Sequence, residues 1–220
     1  MKTLSGPTPR LLAASALAIA LLGARVIWTG SFAYSFLVWN LALAWAPFGL
    51  STLLERAHQR RARALLLAPI GAAWLLFLPN APYLVTDFVH LRFRLDAPLW
   101  FDAVMLMAFA WAGMALGVAS LRDVARVVRI RAGRVGAIAA PAFVAATCAL
   151  TGYGIYLGRF VRLNSWDVAT RPGRTLAEVF APFAHPLRLQ PAWTVTAALG
   201  MLFLVVYVTA SHAPARDRAR

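Results

Sequence analysis

Asp87 and His90 stand three residues apart, just past a proline-rich stretch, Leu78-Pro79-Asn80-Ala81-Pro82-Tyr83, that closes a long apolar run. A carboxylate beside an imidazole is the pairing that both general acid–base chemistry and metal ligation use. Further along, Arg159 and Arg162 are one helical turn apart, so two guanidinium forks can aim at one carboxylate, phosphate or lipid head group. Asn164 and Asp167 follow at the spacing of an N-cap and its third-position acid, and Asp102 opens another apolar run. With Asn80 and Tyr83, these residues are the ligand-binding candidates. Asp87 and His90 are the candidate acid–base pair. Asp87, His90, Asp102 and the loop residue His185 are the candidate metal ligands. Structural roles compete for the same groups. Asp87 can simply orient His90, either arginine can pair with Asp87, Asp102 or Asp167, and Asn164 with Asp167 suits a cap best.

The elements that must hold these residues are membrane helices. The chain has 220 residues, 61% of them hydrophobic, and a mean hydropathy of +0.67. Only 14% are charged, against about 25% in a typical soluble domain. A soluble domain of this size has too little polar surface to cover so much apolar area, so lipid must cover it. The net charge of +14 is almost wholly arginine and lies in short loops between apolar runs, which points away from nucleic acid as a partner. The lone Cys148 sits inside an apolar run, so a disulfide framework and a cysteine metal cluster are both excluded.

Six apolar runs, roughly 11–28, 32–53, 64–85, 100–121, 135–157 and 193–211, each approach the ~20 residues that a bilayer requires. The expected fold is an all-α polytopic transmembrane bundle, with residues 1–220 forming one integral membrane domain. The first run also has features of a signal peptide, with Lys2 and Arg10 ahead of it and Leu22-Gly23-Ala24 at its end. Apolarity resumes after Arg25, which favours a retained helix. With the N-terminus inside, fourteen basic residues fall on the cytoplasmic side and eight on the other. The positive-inside rule then places both termini in the cytoplasm and the candidate residues on the outer face.

Pro79 and Pro82 each remove a backbone donor, so the third span is expected to stop near Leu78, with Asn80 capping a short helix to about Leu91. In such an α-helix Tyr83, Asp87 and His90 share a face. Asn40, mid-span, reads as an amide bonded to a neighbouring helix. Gly113-x-x-x-Gly117 and Gly154-x-x-x-Gly158 suit close helix contact, inside the monomer or in a dimer. No phosphate-binding glycine loop, zinc-protease helix or nucleophile elbow is present.

The proline–asparagine segment, with Thr86-Asp87, His90-Leu91, Trp100-Phe101-Asp102, Tyr156-Leu157-Gly158-Arg159-Phe160 and Asn164-Ser165-Trp166-Asp167, resembles the bacterial membrane proteins grouped as domain of unknown function 1361. The resemblance runs from about Ser35 to Val208. It implies a multi-helix protein of the bacterial inner membrane and carries no established activity.

Two function classes follow. In one, an outer-face polar site binds a small anionic ligand, a lipid head group or a partner protein, within a membrane whose lipids are the constant partner. In the other, a membrane enzyme uses Asp87 and His90 at the outer interface while Arg159 and Arg162 hold the substrate. A small-molecule transporter is a third reading, weakened by the scarcity of charge within the spans and the lack of an inverted duplication. The cofactor is left open.

Overall fold

The structure is a computed structural model that describes residues 8–92, 97–184 and 190–211. Among these residues it is helical with no strand. The helices are α1 (Thr8–Thr29), α2 (Phe36–Gln59), α3 (Ala64–Phe77), α4 (Asn80–Tyr83), α5 (Leu99–Arg131), α6 (Gly136–Tyr156), α7 (Asp167–Thr170), α8 (Pro172–Ala184) and α9 (Gln190–Ser211). A 3-10 stretch, Leu84–His90, prolongs α4, and a π-helical turn, Leu157–Val161, prolongs α6. Taken with these extensions, six helical segments are long and apolar enough to cross a membrane.

The central element is α5, which packs against α1, α2, α4, α6 and α9. Its buried residues run from Asp102 through Phe109, Leu116 and Leu121 to Val127, while Trp100, Val104, Met107 and Trp111 leave one stripe exposed. One apolar cluster joins α1 and α2 to α4 and α5, and another joins α3 and α5 to α6 and α9. At ~1.5 Å per residue the 33 residues of α5 outrun the hydrocarbon core, which explains why it passes the expected end at 121. Its last turns reach polar partners: Arg126 pairs with Glu55 at 2.9 Å, and Arg131 Nε donates to His58 Nδ1 at 3.1 Å. α2 likewise runs on to Gln59 beside them.

The third span breaks where its prolines lie, but not in the expected way. α3 ends at Phe77, Leu78 N–H closes the last regular bond to Trp74 O at 2.8 Å, and Ala81 N–H bonds only three residues back, to Leu78 O at 3.1 Å. Asn80 does not cap α4. Leu78 and Pro79 both keep right-handed helical torsions, so no extended N-cap residue forms. The Asn80 amide instead donates to Phe77 O at 2.9 Å and to Ser165 Oγ at 3.2 Å, while Ser165 Oγ donates to Leu76 O at 3.3 Å. Two carbonyls at the break thus gain side-chain donors in a place where water is scarce. Past Tyr83 the chain winds as a 3-10 rather than an α-helix, and its three-residue turn stacks Asp87 directly on His90.

Both glycine motifs clasp this broken segment within the monomer. A β-carbon on Gly113 of α5 would lie 2.3 Å from Ala81 O, and one on Gly154 of α6 would lie 2.4 Å from Pro79 Cγ. Only glycine allows the break to sit so close to both helices. Gly113→Ala and Gly154→Ala are each expected to destabilise the protein by about 1–3 kcal/mol through overpacking. Gly23→Ala, at a site with nothing within 4 Å, should leave stability level or raise it. Thermal unfolding in detergent compares the three directly.

Candidate functional site

The π-helical turn that prolongs α6 is wider than an α-turn, and it ends at Arg162 with left-handed torsions, φ 63° and ψ 36°. Leu163 N–H closes this end on Leu157 O at 3.0 Å. The consequence is that Arg159 and Arg162 do not point together. Arg159 turns inward to the 3-10 stretch. Arg162 is exposed in the following turn.

Arg159 is the hub of the inward group. Its Nη2 donates to Asp87 Oδ1 at 2.9 Å and to the Thr86 carbonyl, and its Nη1 donates to Tyr83 Oη at 3.2 Å. The same Nη1 lies 3.5 Å from His90 Nε2, and the guanidinium carbon lies 5.0 Å from the centre of the Tyr83 ring. Asn40 Nδ2 of α2 donates to the other Asp87 oxygen at 2.9 Å. The Asp87 side chain is 0% exposed and that of Arg159 18% exposed. Arg159 Nε is buried and makes no hydrogen bond among the described residues. Burying two ions costs several kcal/mol each, so the pair persists because attraction and added hydrogen bonds offset that cost. Arg159 thus reaches both Asp87 and His90. The expected Asp–His dyad is replaced by an Asp–Arg–His chain.

Asp102 belongs elsewhere. It lies at the start of α5 and takes a bidentate contact from Arg25 of α1, with Nε to Oδ1 at 2.7 Å and Nη2 to Oδ2 at 3.3 Å. These side chains are 0% and 1% exposed. The Arg25 guanidinium lies 4.7 Å from the Tyr34 ring centre, and Tyr34 Oη donates to the His90 carbonyl at 2.9 Å. The two ion pairs are therefore neighbours joined through Tyr34 and His90, rather than one cluster. Asp102 joins neither the Asp87 group nor a metal set, since no group of three His, Cys, Asp or Glu side chains able to hold a metal occurs among the described residues. His185 lies outside the described residues.

Asn164 and Asp167 take the structural role. Asp167 Oδ2 accepts the Asn164 backbone N–H at 2.7 Å and its amide at 3.4 Å, closing the turn that presents Ser165 to the break.

A cleft of about 210 Å³ lies between α2, the broken third span, the end of α6 and α8. Asn40, Asn80, Tyr83, Asn164 and Ser165 supply its polar wall, and Trp39, Leu43, Leu76, Val168 and Val179 its apolar wall. Asp87, His90 and Arg159 are not part of its surface; Asn40 and Tyr83 stand between them and the cleft. Sequence reasoning therefore brought Tyr83, Asp87, His90 and Arg159 together and read Asn40 as an amide bonded to a neighbouring helix, which it is, but did not give it Asp87 as its partner and set Arg25 down as a loop charge. Both were signalled by a polar residue within an apolar run, which asks for a partner.

The family model described as protein of unknown function (DUF1361) matches residues 39–208. The chain belongs to this family. The matched DUF1361 region includes Asn40, the broken span, Arg159 and the Asn164–Asp167 turn, whereas Arg25 and Tyr34 precede it. No curated protein and no solved structure matches the chain.

Arg159→Met leaves Asp87 buried without its cation and is expected to destabilise the fold by about 3–5 kcal/mol. The double variant Asp87→Leu/Arg159→Met removes both charges and should recover most of that loss. A double-mutant cycle from thermal unfolding measures the coupling.

Proposed function

We propose that this is a multi-pass protein of a bacterial inner membrane that binds an amphiphile in the cleft beside the broken third span. The supporting observation is the division of the cleft walls. One wall carries amides and hydroxyls, and the other carries Trp39 and Leu76, whose exposed side chains lie on membrane spans and so face lipid. A molecule entering sideways from the bilayer would meet apolar surface along its chain and neutral hydrogen-bonding groups at its head.

This reading refines the sequence alternatives. Arg159 is committed to Asp87, so it offers no free charge to a small anion in this cleft. The acid–base reading loses support from the same geometry, because Asp87 is wholly buried and both its oxygens are engaged. A lipid-like ligand keeps its support.

The orientation reading rests on loop charge. Arg56, Arg60, Arg61, Arg63, Arg126, Arg129, Arg131 and Arg134 gather at the end of the bundle opposite the cleft. By the positive-inside rule that end is cytoplasmic, as are both termini.

Leu43→Trp fills the cleft without touching the ion pairs. It is expected to weaken binding of dioctanoylglycerol to the delipidated protein by at least about tenfold, or ~1.4 kcal/mol, with little change in melting temperature. Native mass spectrometry reads the bound fraction, and undiminished binding would overturn the cleft assignment. For orientation, a reporter active only in the cytoplasm should work when fused after Arg131 and be silent when fused after Thr170. The opposite pattern would reverse the topology.

A further inference from the structure

A second cleft, of about 390 Å³, adjoins the first and shares Leu163, Asn164, Trp166 and Thr175 with it. Its rim carries Arg162, Arg171 and Arg174. All three are exposed, and no side-chain hydrogen bond or ion pair ties any of them to a described residue. One carboxylate, Asp167, also lines the cleft, but its Oδ2 is engaged by the Asn164 backbone N–H and amide. Three uncommitted guanidinium groups against one partly engaged acid leave the cleft strongly cationic.

The scaffold under these arginines is built rather than loose. Thr175, which is buried, shares its one hydroxyl proton between Asp167 O at 3.1 Å and Arg171 O at 3.0 Å, holding the start of α8 to α7. Arg162 reaches the same cleft because its left-handed torsions swing it away from Arg159. The depth of the site follows from α8. Leu176, Phe180 and Phe183 are exposed at i, i+4 and i+7, the pattern of a helix lying in a membrane interface with its apolar face in the acyl boundary. The arginines at its start then sit at head-group level.

We infer that the bound amphiphile carries a phosphate, held by Arg162, Arg171 and Arg174 while its chain occupies the first cleft. The inference rests on the amphiphile reading of that cleft and adds the charge of the head group. A phosphate presents its acceptor oxygens in a tetrahedral array that can engage three guanidinium forks from different directions, whereas a carboxylate offers two oxygens in one plane.

The test uses delipidated full-length protein in a neutral detergent, titrated with dioctanoyl phosphatidic acid, with dioctanoylglycerol and with inorganic phosphate. Native mass spectrometry reports occupancy. Dioctanoyl phosphatidic acid is expected to bind at least about tenfold more tightly than dioctanoylglycerol, with an advantage that shrinks as salt is raised. The triple variant Arg162→Gln/Arg171→Gln/Arg174→Gln should abolish that advantage and leave dioctanoylglycerol binding unchanged. Arg174→Gln alone should reduce it in part, and Arg134→Gln at the opposite end should not. Equal affinity for the two amphiphiles, or a preference that survives the triple variant, overturns the phosphate inference and leaves the cleft reading intact. Failure of both amphiphiles to bind overturns the cleft reading itself. Inorganic phosphate binding as tightly as phosphatidic acid overturns the amphiphile and assigns the arginines to a soluble phosphate.

Discussion

Backbone carbonyls that lose their helical donors inside a bilayer have no water to turn to, and this structure is organised around one such place. Pro79 and Pro82 interrupt the third span, and the chain answers with side chains from two directions. Asn80 supplies Phe77 O from within the break, and Ser165 supplies Leu76 O from the loop after α6. That requirement brings the turn at 162–167 against the third span. Gly113 and Gly154 let α5 and α6 close on the break from either side. The cleft walls, the placement of Tyr83 and the approach of Arg159 all follow from this packing.

Charge is arranged by the same economy of exposure. Arg159 and Arg25 each reach a buried carboxylate, and each carboxylate oxygen has a donor. At this end of the bundle Arg162, Arg171 and Arg174 stay exposed at the rim, on the turn and at the start of α8. The molecule thus separates a neutral, paired polar floor from a cationic edge, although Asp87, Asp102 and Arg159 were all ligand candidates in the sequence. Arg159 and Arg162 illustrate the division: three residues apart, they serve opposite purposes because a π-helical turn and a left-handed residue intervene.

Much of the frame was legible because it rests on strong, simple physics. Apolar run lengths place six spans, and two prolines place the break. The convergence of Asp87, His90 and Arg159 follows from alternating helix direction. The misreadings came from assuming one helical period throughout. A 3-10 stretch after Tyr83 changes which residues stack, and a wider turn after Tyr156 changes where arginines point. Partner choice was also hidden. Asp102 takes Arg25, which a count of loop charges had set on the surface, and Asn40 bonds to a carboxylate 47 positions away. Pairing at such separation is a property of the packed bundle and leaves no mark on local spacing.

The buried pairs also impose an order on biogenesis. Arg25 and Asp102 are 77 residues apart, and Asp87 and Arg159 are 72 apart. At a synthesis rate of ~5–20 residues per second, each first partner emerges about 4–15 s before its counter-ion. Arg25 and Asp87 lie in the last turns of their spans, so each can stay hydrated near the interface until its counter-ion is made. Each can be buried as half of an ion pair only when α5 or the end of α6 arrives. The two pairs therefore close late, on the face that holds the cleft.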